Sequence, residues 1–229
     1  MSDYGVTTAH LIADAYAAGA THVVALMRHS ARTFDRTIND LENRLTDAGR
    51  AYARGLGEAL PAGLFVRGYA SPPHRCMETA ELVLEAYHGR GGRVRRARAV
   101  EGLGVFYALD QIKMWKGMNA AGGLVPYLQT WFDGKVPSDA MIPPLLAAQM
   151  VLRVLAGKLD DGNDQQQLDL CVSHDITVHL VRDRLLRESI HLAPVEFLDA
   201  LVLYRHADGL WLASHHGAPV SVDEHLHQG

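Results

Sequence analysis

The sequence predicts an α/β protein: a doubly wound, mostly parallel sheet flanked by helices, with a small inserted lid or cap. Three observations carry this expectation. Short apolar runs, VVALM at 23–27 and LDLCV at 168–172 among them, alternate with longer helical patterns, and strands that alternate with helices pair in parallel. The first run is apolar throughout instead of at every second residue, as suits a strand covered on both faces. Polar groups follow such runs directly, Arg28-His29-Ser30 after the first and Ser173-His174-Asp175 after a later one, and ligands of such sheets bind beyond the carboxyl ends of the strands.

Each element has its own signal. Thr7–Ala18 reads as a helix closed by Gly19, and Val23–Met27 as the first strand. Thr46–Leu60 reads as a helix with Thr46 as N-cap and Pro61 as its stop. A short strand at Val66–Ala70 leads to a long helix capped by Ser71, with prolines in its first turn and Gly89 at its end. Val94–Val100 is a third strand. Leu145–Leu159 is a helix, 160–167 a polar loop, Leu168–Val172 a strand, and a further helix runs to Leu186. Leu201–Tyr204 and Leu210–Ala213 form a closing hairpin around Asp208-Gly209. From about 102 to 144 no clean period holds, and Phe106, Tyr107, Trp115, Tyr127, Trp131 and Phe132 gather there. That stretch reads as an insertion or lid over a site, or equally as the core of a small subdomain, within one domain spanning 1–229.

Composition narrows the function classes. A net charge of −4 over 229 residues argues against nucleic acid as a partner, so any anion is held by local positive charge. No apolar run approaches the roughly 20 residues that span a bilayer. Cys76 and Cys171 fit no metal-ligand spacing, and the start of the chain carries no secretory signal. Reduced, buried thiols and a cytoplasmic location are therefore expected, with no metal and no cofactor. The basic run Arg90, Arg93, Arg95, Arg96 and Arg98 reads as a solvated strand edge, with steering of an anion as the alternative. His206, His215, His216, His225 and His227 read as part of a polar, partly disordered C-terminus.

The strand ends hold the chemistry. Arginine's planar fork matches phosphate oxygens in pairs, so Arg28, Arg32 and Arg75 leaving separate strand ends would make a phosphate pocket. The N–H groups of the helix after Ser71 would add to it. His29 suits attack on phosphorus, since an imidazole of pKa about 6.5 offers a neutral nitrogen near pH 7. His174 can donate to the charge developing on the equatorial oxygens, and a carboxylic acid beside it can protonate the leaving oxygen. Taken singly, Arg28 and Arg32 read as ion-pair partners of Asp35 or Asp40, and His29 as a core histidine. Only their shared placement favours a site.

RHSAR at 28–32, SPPHRCMETA at 71–80 and SHD at 173–175, in this order, resemble the histidine phosphatase superfamily, the phosphoglycerate-mutase-like fold. The resemblance runs from about Thr21 to Trp211 and includes LTDAGRAYARGLGEAL at 45–60. It implies that His29 is the histidine that becomes phosphorylated, that Arg28 and Arg75 bind phosphate, and that His174 is the second pocket histidine. Arg32 matches the second arginine of the RHGxRxP pattern of the acid-phosphatase and phytase branch. Asp175 matches that branch's HD motif, where aspartate donates the proton. SPxxRxxxTA reads instead like the smaller mutase-type branch, whose acid is a glutamate just after the third strand, near Glu101. Asp175 is preferred, because Arg32 points to the same branch. Ser30 stands where the family usually has glycine, and would either crowd the phosphate or bond one of its oxygens. Thr33-Phe34 stand where the pattern has proline.

The expected function is a metal-independent phosphomonoester hydrolase that forms a phosphohistidine and takes a small phosphorylated metabolite, with oligomeric state open. The alternatives are a phosphomutase of the same fold and a non-catalytic phosphate-ester-binding protein. A metal-dependent phosphohydrolase of the all-helical HD type is disfavoured by the strand-like LDLCV before His174.

Overall fold

Val23–Met27 forms the centre of strand β1 (His22–Arg28), with all five residues fully buried. The computed structural model describes residues 4–35, 37–38, 40–160, 166–207 and 209–227. Residues 161–165 of the expected polar loop and Asp208 of the expected hairpin turn lie outside these. Helix α1 (Val6–Ala17) precedes β1. Then come α2 (Asp47–Ala59), β2 (Phe65–Ala70), α3 (His74–Gly89), β3 (Arg93–Ala99), α4 (Gln111–Ala121), α5 (Leu124–Phe132) and α6 (Pro144–Leu159). The chain continues through β4 (Gln167–Ser173), α7 (Asp175–Leu186), β5 (Ala200–His206), β6 (Gly209–Ala213), β7 (Val220–Ser221) and α8 (Glu224–His227).

The sheet order is β3-β2-β4-β1-β5-β6-β7. Both faces are covered. Val23, Ala25 and Met27 of β1 pack into one apolar cluster with residues of α1, α2 and α3. Val24 and Leu26 point the other way, into a cluster with α5, α6 and α7, as the two-residue period of a strand requires.

The sheet is mixed, and the half that carries the rim is parallel as expected. β3, β2, β4 and β1 are parallel, but β5, β6 and β7 run antiparallel to their neighbours. The cause is the segment 187–199, which has no helix and brings the chain back to the carboxyl end of β1. There the Arg28 N–H donates to Asp199 O at 2.9 Å. β5 therefore starts opposite Met27, at Ala200, and runs down to pair Tyr204 with Val23.

Three local expectations also change. Thr46 caps α2, accepting from the Gly49 N–H at 2.9 Å, but Ser71 does not cap α3. That helix begins at His74, preceded by Pro73 with no side-chain cap, because the Ser71 hydroxyl is bonded elsewhere. The C-terminus is structured through His227: Val222 is fully buried and α8 follows it. The aromatic stretch beyond Glu101 folds as a 3₁₀ turn (Glu101–Leu103) followed by α4 and α5. Tyr107 and Trp131 stack at 5.4 Å between centroids inside the cluster shared with α6 and α7, whereas Trp115 remains 39% exposed. Among the described residues no helix is long and apolar enough to cross a membrane.

Candidate active site

The parallel register brings three chain segments level. Arg28 lies beside Ser173, and Ala70 beside Val172. The His29 N–H donates to Ser173 O at 3.0 Å, and the Ser71 N–H to Val172 O at 2.8 Å. The groups that follow β1, β2 and β4 thus meet on one rim.

His29 is 3% exposed. Its Nδ1 lies 2.8 Å from Ser30 O. A carbonyl can only accept, so Nδ1 carries the proton and Nε2 keeps a lone pair. That Nε2 accepts from Arg75 Nε at 3.2 Å. Burial, then the neighbouring His174, Arg75 and Arg28, hold the His29 pKa well below the usual imidazole value, against the opposing pull of the Ser30 carbonyl. The ring is therefore neutral at pH 7, with its lone pair on Nε2 facing Arg75.

Arg75 and His174 complete the inner group, 4% and 7% exposed. Arg75 Nη2 is 3.5 Å from His174 Nδ1, and His174 Nε2 is 2.9 Å from Ser71 Oγ. A guanidinium only donates, so His174 Nδ1 accepts and Nε2–H points at Ser71. The two imidazoles meet edge to face at 5.8 Å. Cys76 Sγ lies 3.9 Å from His174 Nε2 and is fully buried.

Arg28 is fixed from several sides. Nη1 donates to Val195 O at 2.7 Å, Nη2 is 3.2 Å from Asp175 Oδ2, and the guanidinium lies 4.1 Å from the centroid of Phe197. The other Asp175 oxygen, Oδ1, accepts from the Ile176 N–H at 2.8 Å, at the start of α7.

Arg32 and Glu101 are placed differently. Arg32 forms a bridge with Leu45, with Nη1 3.4 Å from Thr33 O and its guanidinium 5.0 Å from the Phe34 centroid. These contacts lie along its own loop. Glu101 is exposed on the 3₁₀ turn after β3. That turn is tied to the rim: the Val100 N–H donates to Ala70 O at 2.8 Å, and Ser173 Oγ donates to Leu103 O at 2.6 Å. Ser30 neither crowds the pocket nor faces it. Its hydroxyl donates to Gly49 O at 2.7 Å, and its N–H donates to Thr79 Oγ1 at 3.1 Å. Gly49 is required for this approach, since a Cβ there would collide with the Ala31 carbonyl. Among the described residues no group of His, Cys, Asp and Glu suits a metal ion.

Sequence reasoning missed two parts of this site. Ser71 was read as a helix cap, although a serine at a strand end beside an SPxxR motif is equally a side-chain partner. Phe197 had no signal at all. It is a lone aromatic in an irregular loop, and only the antiparallel entry of β5 brings it to Arg28.

Fold and rim together define an α/β protein of phosphoglycerate-mutase-like architecture, with a buried histidine between arginines at the strand ends. Residues 24–96 match the model of the histidine phosphatase superfamily (branch 1). The match is to branch 1 and lends no support to the acid-phosphatase features read from Arg32 and Asp175. No curated protein matches the sequence. Solved structures with the same fold include a phosphoserine phosphatase from Entamoeba histolytica in complex with 3-phosphoglyceric acid (17% identity, TM-score 0.54, covering 90% of this chain and 99% of that one). A phosphoglycerate mutase from Bacillus anthracis (18%, 0.52, 90% and 94%) and a mycobacterial glucosyl-3-phosphoglycerate phosphatase (17%, 0.52, 80% and 90%) are similar too. At these identities the likeness is one of fold, shared by phosphatases and mutases.

Proposed function

We propose that the chain is a metal-independent phosphomonoester hydrolase that acts on a small phosphorylated metabolite through a phosphohistidine on Nε2 of His29. The observation that carries this reading is the buried neutral ring, its Nε2 lone pair 3.2 Å from the Arg75 guanidinium. Nε2 attacks phosphorus, the ester P–O bond breaks, and the leaving oxygen takes a proton from a carboxylic acid. Water then attacks phosphorus and gives its proton to that carboxylate, and the P–N bond breaks. Arg28, Arg75 and His174 hold the equatorial oxygens, and Arg32 would join them by leaving Phe34. A cytoplasmic setting accords with Cys76 and Cys171, neither of which forms a disulfide.

For the acid, the order read from the sequence is reversed in favour of Glu101. Both Asp175 oxygens are already engaged, one accepting from the Ile176 N–H and one in an ion pair with Arg28, which fits a role in fixing Arg28. The Glu101 side chain is exposed, on a turn pinned to the rim.

The test is phosphate release from p-nitrophenyl phosphate and alkyl phosphates in EDTA, together with trapping of an acid-labile phosphohistidine. His29→Ala loses both, and wild-type turnover in that variant ends the reading. Glu101→Gln slows alkyl phosphates by about 10²–10⁴ and p-nitrophenyl phosphate far less, because its leaving group needs little protonation. If Asp175→Asn shows that pattern instead, Asp175 is the acid. Isomer formation in place of phosphate release marks a mutase.

A further inference from the structure

The loop before β5 is built around Arg28. Two of its carbonyls accept from that residue: Val195 O from Nη1 at 2.7 Å and Asp199 O from the backbone N–H at 2.9 Å. Between them the chain makes a tight turn. The Glu196 N–H donates to Asp199 Oδ2 at 2.7 Å, and the Asp199 N–H to Glu196 O at 3.2 Å. Leu198 takes a φ of 64°, a left-handed conformation that costs a leucine on the order of 1 kcal/mol. It is held there by the buried Thr8 Oγ1, which donates to Leu198 O at 2.6 Å. Strain kept in place by surrounding bonds points to a purpose. Its product is the placement of Phe197.

We infer that Phe197 is a positioning residue of this site: its half-buried ring lies under the Arg28 guanidinium, 4.1 Å from its centroid, and beside the His29 imidazole at 6.1 Å between centroids. The ring is braced from behind by Tyr4, edge to face at 5.6 Å, and Tyr4 in turn by Tyr52 of α2 at 5.1 Å. An arginine fixed by a ring face, a carbonyl and a carboxylate meets an anion without first being ordered, which is how preorganised donors act. The apolar cover also helps keep His29 uncharged, since burial is the largest cause of its lowered pKa. The charged or titratable groups facing His29 are His174 from the start of α7, Arg75 from α3 and Arg28 from β1, so no carboxylate is needed to explain the direction.

The kinetic arm of the test rests on the phosphohistidine reading, and the spectroscopic arm does not. Phe197→Ala is expected to lower kcat/KM about tenfold, between the scales of an exposed and a desolvated cation–π contact, mostly through KM. The acid limb of its pH profile moves upward as water reaches His29. Phe197→Leu keeps the apolar cover, so the limb stays in place while KM still rises. Phe197→Tyr restores both. Independently of activity, the His29 imidazole titration followed by NMR moves up in Phe197→Ala and stays put in Phe197→Leu. If Phe197→Ala does not fold, the Leu and Tyr variants still separate ring face from apolar cover. Unchanged kcat/KM in Phe197→Leu, with His29→Ala inactive, overturns the inference and spares the reading. Wild-type turnover in His29→Ala overturns the reading, and the NMR titration then decides the inference alone.

Discussion

The two ends of the same parallel strands hold the same residue types and treat them in opposite ways. At the amino ends, Asp169 of β4 is fully buried and takes both Arg67 Nε and Nη2 at 2.6 Å, with His22 Nε2 at 2.9 Å. That carboxylate closes the group. At the carboxyl ends, Arg28, Arg75, His29 and His174 meet, Arg75 lying against the two imidazoles and Arg28 beside Asp175. Buried charge is tolerated where it is paired. The closed end supplies its own anion, and the rim is built to receive one.

The largest expected effect breaks the closed end. Asp169→Asn leaves Arg67 buried against a neutral amide, and removing one partner of a buried pair costs about 3–5 kcal/mol. Urea unfolding should show that loss. A much smaller cost would mean that the amino-end network is not closed. The next effect falls on the rim. Arg75→Ala removes a phosphate donor and should cost about 10²–10³ in kcat, or roughly 2.7–4 kcal/mol of transition-state stabilisation. Its urea midpoint should stay nearer that of the parent, because the residue lies against the His29 and His174 imidazoles. If Arg75→Ala unfolds as readily as Asp169→Asn, the two ends do not differ in kind.

Much of the rim was legible because β-strand periodicity and parallel pairing place strand ends together. Once Val23–Met27 and Leu168–Val172 read as neighbouring strands, Arg28-His29 and His174 had to share an edge. The direction of β5 was not legible. A hairpin signal at 201–213 fixes how β5 meets β6 but says nothing of how β5 meets β1, which depends on where the irregular loop 187–199 returns. Phe197 was lost with it. Arg32 and Ser30 show the other limit: a motif gives the residue and not the rotamer. Arg32 lies over Phe34 and Ser30 bonds Gly49, both set by the loop 31–45 and by α2. In the aromatic stretch, Tyr107, Tyr127, Trp131 and Phe132 are buried in the cluster around α6 and α7. Tyr107 lies inside and its hydroxyl is 2.8 Å from Thr177 Oγ1, a contact that no spacing announces.

The smallest effect sharpens the contrast through pH. His179 sits one turn beyond Asp175 on α7, 3% exposed, with Nδ1 3.3 Å from Arg182 Nη2. Burial, then Arg182 and Arg28, push its pKa down to about 4, while Asp175 and Asp183 pull the other way. The folded pKa lies below the unfolded value of about 6.5. Between those two pH values the unfolded chain binds more protons, so stability is full above 6.5 and falls as pH drops toward 4. At 1.36 kcal/mol per pH unit the loss reaches about 3 kcal/mol, and His29, shifted the same way, adds to it. His179→Gln cannot take up that proton. Its urea-derived stability should therefore fall less than the parent's between pH 7 and pH 4. An equal fall in both proteins would show that burial and the neighbouring Arg182 do not hold His179 neutral in the folded chain.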